Sequence, residues 1–328
     1  MPELLDSPDV IVWVDGAVER HTNGIFGELR PAIIWTDAQG SDGELIVPID
    51  PTRLVLSINN KPFILLEGHD PGRPKGQVLE CAIFENDGNR FIVAIFGFYA
   101  GGDVLGFGEL GIDLREAISL PKTLPELKND FLIQVGVDSR EVDDTWLDCL
   151  TSDAPVLIER VDLSHNAAES MQDLIKIGIA YVALVWNPFV KALASEAGKG
   201  TYAAIHIWMH TMLGKVAERK NPILEIQSHR FGCQVSFLFR GNDVKLLYAA
   251  HDSLAEAAVR AELLIGKLNA RGMTGQQLIY EFDKEALTWF PSYAILVDSR
   301  IITDNRELIA LEQLPTGVSL GLVRGGQN

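Results

Sequence analysis

Short apolar runs separated by turn signals such as DG, NN and DPG fill the first half of the chain. Runs of this length, rich in β-branched and aromatic residues and bounded by Gly, Pro, Asn and Asp, predict strands. We expect strands at 10–14, 32–35, 45–47, 53–58, 63–66, 78–84, 90–98, 131–137 and 156–163. The segment 114–128 breaks this rhythm and predicts a helical piece that Pro121 and Pro125 interrupt.

Near residue 167 the spacing of apolar positions changes from two to about 3.6 residues, which indicates helices. The helices predicted in this half are 168–197, 201–220 and 254–268, with GKG between the first two. We expect Ser253 and Glu256 to form a capping box at the start of the third helix, and Gly272 to end it. The strands predicted in this half are 223–228, 233–240, 244–249, 277–282, 289–297 and 318–323.

These patterns predict an α+β protein with two domains. A chain of 328 residues matches about two domains of ~100 to 200 residues each, and 47% hydrophobic residues suffice for two cores. We expect a mostly-β domain at 8–166, folded as a barrel or sandwich with a helical insertion. An α+β domain with two leading helices is expected at 167–328, with a role in association or regulation.

Charge and cysteine content narrow the classes of partner and compartment. Forty-five acidic residues against 28 basic ones give a net charge of -17, so a phosphate backbone would be repelled and nucleic acid is not an expected partner. The start MPELLDSPDV has neither the basic nor the apolar region of a secretory signal. Cys81, Cys149 and Cys233 are odd in number and widely spaced, which fits neither a disulfide framework nor a zinc site. We therefore expect a cytoplasmic protein without a cofactor.

The stretch EGHDPGRPKG contains His69 and Asp70, followed by two prolines and two glycines, between two apolar runs. Taken by itself, this composition is typical of a hairpin loop whose geometry Pro71 and Gly72 set. The same order of residues also suits a catalytic histidine at the end of a strand. The residues alone leave both interpretations open.

A longer segment, RLVLSINNKPFILLEGHDPGRPKGQVLECAIFENDGNRFIVAIF, resembles the histidine-bearing region of phage prohead proteases of the HK97 type and of the related herpesvirus assemblins. In those families a His-Asp pair follows an apolar strand, and a glycine and a hydrophobic strand come next. FLIQVGVDSREV follows in family order, and APVLIERVDLSHNAAES resembles the family's closing strand. The resemblance covers roughly residues 10–170 and implies a protease-like β domain.

The resemblance also implies a set of catalytic positions. His69 would be the base that takes a proton from a serine hydroxyl, and Glu159 matches the acidic residue. The serine of the family matches Gln134, whose amide cannot serve as that nucleophile. Ser139 and Ser164 are the remaining candidates for a displaced nucleophile. The resemblance therefore implies a domain that keeps the protease-like fold for binding and has lost the chemistry.

A second candidate site lies on the predicted helix TYAAIHIWMHTML. His206 and His210 are four residues apart, which would place both imidazoles on one helical face, as in some zinc sites. No third or fourth ligand is apparent, and the HExxH motif is absent because Ile207 follows His206. The alternative is a packing role for both histidines, and we expect no metal.

The run IGIAYVALVW is the most apolar segment of the chain. A bilayer-spanning helix needs about 20 apolar residues, and Asp173, Lys176 and Lys191 lie too close to this run. We therefore expect a buried helix. A helix that is released onto a membrane or a partner is the alternative.

Together these features predict a non-catalytic, regulatory protein that binds a protein or peptide through a degenerate protease-like domain. A serine endopeptidase of the prohead type is one alternative, and a membrane-associating bacterial or phage defence effector is another. We also expect a homo-oligomer, because the strands after residue 223 would cover the apolar stripes of the two leading helices only in part.

Overall fold

The structure is a computed structural model that describes residues 2–39, 45, 49–60, 63–120, 131–137, 142–162, 173–185 and 196–311. It has the predicted α+β class, with helices and two separate β-sheets. The described residues form two compact units: unit 1 contains those up to Val104 and those from Asn305 onward, and unit 2 contains those from Leu105 to Asp304. This division departs from the predicted boundary at residue 166, because strand 132–137 pairs with strand 173–178 of the second half.

Unit 1 is built on an antiparallel sheet of four strands. The elements are α1 Pro2–Leu5, α2 Pro8–His21, β1 Glu28–Thr36, α3 Pro51–Asn60, β2 Phe63–Leu66, β3 Pro74–Asn86 and β4 Asn89–Phe98. The strand order is β1-β4-β3-β2. Asp87 and Gly88 turn the chain between β3 and β4 with φ angles of 52° and 78°. The strands predicted at 32–35, 63–66, 78–84 and 90–98 are thus confirmed.

Two segments predicted as strands, 10–14 and 53–58, are the helices α2 and α3. In α2, Val10 and Ala17 are buried whereas Val12 is 74% exposed, so burial recurs at helical spacing and does not alternate. The prediction was wrong because short runs of Val, Ile and Leu fit either state. A proline in the first turn of each helix, where it is well tolerated, favours the helix here.

Each face of the four-stranded sheet carries one of these helices. Ile92, Ala94 and Phe96 of β4 belong to the core that α3 covers. Phe91 and Val93 of the same strand belong to the core that α2 covers. Successive side chains of β4 are therefore buried on opposite faces. The described residues of unit 1 form an open sheet between two helices rather than the expected barrel or sandwich.

Unit 2 is built on a mixed sheet of nine strands. They are β5 Val104–Leu105, β6 Leu132–Val137, β7 Leu157–Asp162, β8 Asp173–Gly178, β9 Pro222–Arg230, β10 Cys233–Arg240, β11 Gly275–Asp283, β12 Thr288–Leu296 and β13 Ile301–Ile302. Their order is β5-β13-β12-β11-β10-β9-β8-β6-β7. The pairs β6 with β7, β8 with β9 and β10 with β11 are parallel. The strands predicted at 131–137, 156–163, 223–228, 233–240, 277–282 and 289–297 are confirmed.

The helices of unit 2 are α4 Asp144–Thr151, α5 Tyr181–Leu184, α6 Glu196–Val216, α7 Val244–Asp252 and α8 Leu254–Ala270. Apolar side chains of these helices and of the sheet form one core. Gly272, with a φ of +72°, follows the end of α8 as predicted. The predicted capping box is wrong, because the hydroxyl of Ser253 donates to the carbonyl oxygens of Ala249 and Ala250 instead.

Three other predictions for this half are wrong. Residues 173–178 of the predicted helix 168–197 form β8, which pairs with a strand on each side. The GKG sequence at 198–200 lies inside α6 and does not separate two helices. Residues 244–249, predicted as a strand, begin α7, where the carboxylate of Asp243 accepts hydrogen bonds from two main-chain N–H groups.

The irregular segment 114–120 contains no helix, so the described part of the helical piece predicted at 114–128 is wrong. Leu114 packs instead against the core of unit 2. The rest of that piece, 121–128, lies outside the described residues, as do the predicted strand 318–323 and most of 45–47.

The described residues of the most apolar run, 177–185, are divided between β8, α5 and the residues beside them, and they do not form one buried helix. Ile177 and Tyr181 are nevertheless buried, so the expectation of burial is correct for them. Within the described part of the chain, no helix combines the length and the hydropathy needed to cross a membrane.

The apolar stripes that led us to expect an oligomer are buried within a single chain. None of their members is more than 8% exposed: Leu174, Ile177, Tyr181, Leu184, Val185, Ile205, Trp208, Met209, Met212 and Val216. The expectation that the strands cover these stripes only in part is therefore wrong. The homo-oligomer stays a prediction that these stripes no longer support.

Candidate functional site

His69 lies in the loop that joins β2 to β3, at the end of a one-turn 3-10 helix, Glu67–His69. Its φ of 61° is in the left-handed region. The next residue, Asp70, is 3% exposed, and its Oδ1 accepts a hydrogen bond of 2.8 Å from the main-chain N–H of Gly72. Because this bond closes the turn and β2 pairs antiparallel with β3, the hairpin interpretation of EGHDPGRPKG is confirmed.

Gln134 and Glu159 lie opposite each other on the parallel strands β6 and β7. The Nε2 of Gln134 donates a hydrogen bond of 2.7 Å to Oε2 of Glu159, and both side chains are exposed. His69 follows a strand of the four-stranded sheet, so the expectation that one sheet carries all three residues is wrong. Gln134 and Glu159 belong to the nine-stranded sheet because β6 pairs with β7 and β8. Ser139 and Ser164 lie outside the described residues.

Strand β7 is the last strand of its sheet among the described residues, so one side of its main chain has no strand neighbour there. Leu157 is 69% exposed and Val161 is 39% exposed, on the same strand face as Glu159. Arg160 points to the other face, where its guanidinium lies 2.5 Å from the carboxylate of Asp148 on α4. An unpaired edge with exposed apolar side chains can accept an additional strand.

Beside this edge, an open depression of about 200 Å³ lies next to the start of β6 and the ends of β8 and β9. Gln134, Gly178 and Gln227 stand side by side across these three strands and line it. A Cβ at Gly178 would lie 3.2 Å from the Gln134 side chain, so the glycine leaves room for that amide. The other residues that line the depression are polar or apolar: Ser228, His229, Leu132, Ile179 and Ala180.

The buried carboxylate of Glu225 contacts Gln227, one of the residues that line this depression. Glu225 is 1% exposed, and its Oε2 lies 3.4 Å from Nζ of Lys176 on the neighbouring strand. Its Oε1 accepts a hydrogen bond of 2.7 Å from Nε2 of Gln227. Two amides in the depression, Gln134 and Gln227, are therefore each oriented by a carboxylate.

No family model, curated protein or solved structure matches this chain. The resemblance to prohead proteases therefore stays a prediction, as do the roles of His69 as a base and Glu159 as its acidic partner. The function must be inferred from the geometry of the described residues.

A cluster of metal-donor groups lies between α6 and α7. His206 on α6 and His251 and Asp252 at the end of α7 each bring one donor atom within 4.8 Å of the other two. The rings of His206 and His251 stack with their centroids 4.4 Å apart. Within the described part of the chain, these three residues are the group that could hold a metal ion.

The sequence paired His206 with His210, whereas the structure places His206 beside His251. His210 stacks on the ring of Tyr248, with the centroids 3.5 Å apart, and its ring centroid lies 6.1 Å from that of His251. His206 instead faces His251 and Asp252. His251 and Asp252 were missed as partners of His206 because 244–249 was predicted as a strand, so the helix α7 that carries them was not expected. Asp243 is a helix N-cap signal that could have indicated this helix.

Burial determines the protonation state of His251, which is 5% exposed. Burial first, and then the neighbouring His206 and His210, lower the pKa of His251 from 6.5 to about 3. The imidazole is therefore neutral at neutral pH, which is the form that binds metal ions. Its Nδ1 atom is enclosed and has no hydrogen-bond partner among the described residues.

Proposed function

We propose that this chain is a non-enzymatic, regulatory protein that binds an extended segment of a partner protein along β7. The observation that carries the proposal is the position of β7 at the edge of its sheet among the described residues, together with the exposure of Leu157 and Val161. A segment added as a further strand would hydrogen-bond to the main chain of β7, which gives affinity without a deep pocket.

The side chains of β7 define the kind of segment that would fit. Leu157, Glu159 and Val161 alternate along one face of a six-residue strand. Across a strand pair, apolar residues favour apolar partners and a carboxylate favours a cation. The expected partner is therefore an extended segment in which a Lys or Arg has one apolar residue two positions before it and another two positions after it.

The arrangement of Gln134 favours binding over hydrolysis. Its amide cannot be deprotonated to a useful nucleophile at neutral pH, and it already donates a hydrogen bond to Glu159. A fluorophosphonate probe, which labels activated serines, is therefore expected to leave the protein unlabelled. Labelling that disappears in His69→Ala would instead support the serine endopeptidase, with Ser139, Ser164 or another serine as the nucleophile.

Selection from a phage-displayed library of random peptides tests the binding proposal. Peptides selected on the full-length protein should show the apolar, basic, apolar alternation. Leu157→Lys should weaken their binding about tenfold or more, because it places a charge at the edge where apolar contact is needed. Leu287→Lys is the matched control: Leu287 is 55% exposed but lies in the turn between β11 and β12, so this change should leave the affinity unchanged.

Two outcomes would contradict the proposal. One is a library that yields no peptide dependent on Leu157. The other is an equal loss of affinity in Leu157→Lys and Leu287→Lys, which would show that neither position is specific to the binding surface.

A further inference from the structure

Two helices of unit 2 bring three donor side chains to one place. His206 lies in the middle of α6, whereas His251 and Asp252 are the last two residues of α7. The three donor atoms lie within 4.8 Å of one another. None of these residues contributes to the edge strand or to the depression beside Gln134, so they form a separate candidate site.

The donor set has the chemistry of a transition-metal site. Two imidazole nitrogens and one carboxylate oxygen bind Zn²⁺ at about 2.0 to 2.2 Å, usually with water in a fourth, tetrahedral position. Ligand atoms at these distances are about 3.4 Å apart, so the donor atoms, which now lie within 4.8 Å of one another, would have to move closer on binding. The ring of His206 would also have to turn out of its stack on His251, so that both ring nitrogens face the ion. Ca²⁺ and Mg²⁺ prefer oxygen donors and do not suit this set.

The three donor residues differ in how far they are exposed to solvent. His251 is 5% exposed, and its Nδ1 is enclosed without a hydrogen-bond partner among the described residues. Asp252 is exposed and His206 is partly buried. The site therefore has a buried inner ligand and an outer ligand that solvent, and with it an ion, can reach.

We propose that His206, His251 and Asp252 bind one Zn²⁺ ion that joins α6 to the end of α7. The three ligands belong to two helices that pack on the same core, so the ion would lock these helices together. His210 is outside the site because it is not among the donors that lie within 4.8 Å of one another, and its ring stacks on Tyr248.

Calorimetric titration with zinc chloride tests the proposal on full-length protein that carries no histidine tag and has been treated with a chelator. One Zn²⁺ ion per chain is expected to bind. His206→Gln and Asp252→Asn should each weaken binding by about tenfold or more, because even losing a group that only supports a ligand costs 10- to 100-fold. His210→Gln should bind as the unchanged protein does, and circular dichroism checks that each variant is folded.

Cobalt substitution provides a second readout, which reports the coordination geometry of the bound ion. Co²⁺ in a four-coordinate site gives intense visible absorption, which should appear in the unchanged protein and in His210→Gln but not in His206→Gln. A stoichiometry that differs clearly from one Zn²⁺ ion per chain would overturn the proposal. Equal effects of His206→Gln and His210→Gln on zinc binding would overturn it as well. Binding of Fe²⁺ in clear preference to Zn²⁺ would overturn the identity of the metal, since two histidines and a carboxylate also form non-haem iron sites.

Discussion

The three cysteines have the same side chain in very different surroundings. Cys81 and Cys233 are 3% and 1% exposed, and burial raises the pKa of each thiol to about 12. Cys149, on α4, is exposed. Because the thiolate is the reactive form, only an exposed thiol should react readily at neutral pH.

We therefore expect a disulfide reagent such as Ellman's reagent to modify one thiol per folded chain quickly, and all three after denaturation. Cys149→Ser should abolish the fast phase, whereas Cys233→Ser should leave it unchanged. Two or three thiols reacting at one rate in the folded protein would contradict the described burial of Cys81 and Cys233.

A second residue-scale prediction concerns Glu80 on β3. Arg20 and His21 at the end of α2 bind its carboxylate at 2.5 Å and 3.1 Å. Burial alone would raise the pKa of Glu80, but these hydrogen bonds outweigh it and lower the pKa below its usual 4.5. A carboxylate with a lowered pKa in the folded state stabilises the protein above its ordinary pKa, and this contribution is lost as the pH falls through the lowered value.

Glu80→Gln should therefore lower the melting temperature at pH 7, and its difference from the unchanged protein should shrink steadily below pH 4.5, the ordinary pKa of the group. Melting curves across this pH range measure the effect. Glu85→Gln, at an exposed position of the same strand, is the control. A difference between Glu80→Gln and the unchanged protein that is constant with pH would show that the ion pairs do not stabilise the fold.

At the scale of elements, adjacent leucines on α8 differ sharply in their surroundings. Leu264 is 3% exposed and belongs to the core, whereas Leu263 is 43% exposed. Leu264→Ala should lower the free energy of unfolding by about 2 to 5 kcal/mol, because it leaves a cavity. Leu263→Ala should change it by no more than about 0.5 kcal/mol.

Urea denaturation followed by circular dichroism measures both variants under the same conditions. The control is the neighbouring leucine itself, since both substitutions remove the same atoms from the same helix. Equal losses of stability would mean that α8 does not face the sheet as described.

The elements also show where sequence patterns suffice. The helix α8 and the strands β9 and β10 could be predicted from their apolar runs. Gly272 correctly marked the end of α8, whereas the capping box predicted at its start did not form. The helices α3 and α7 were predicted as strands, since their runs are short and rich in residues that fit either state. For β8 the opposite error occurred, because its state is decided by two neighbouring strands that are distant in sequence.

At the scale of the whole molecule, the α+β class could be predicted and the division into units could not. The period of the apolar pattern changes near residue 167, but β6 and β7 before that point join the same sheet as β8 and β9 after it. The same limit applies to the metal-donor cluster. His206 was visible as one member, whereas its partners on α7 depend on a helix pairing that sequence spacing does not encode.

The binding of an extended segment along β7 is the central claim, and hydrogen exchange measures it most directly. Full-length protein would be compared with and without a selected peptide, with mass spectrometry of the protein's fragments and of the peptide itself. Slower exchange concentrated in the fragment that contains Leu157–Asp162, with the peptide recovered intact, is the predicted result. Slower exchange only in other fragments, with the exchange rate of this strand unchanged, would contradict the account. Cleavage of the peptide would contradict it too.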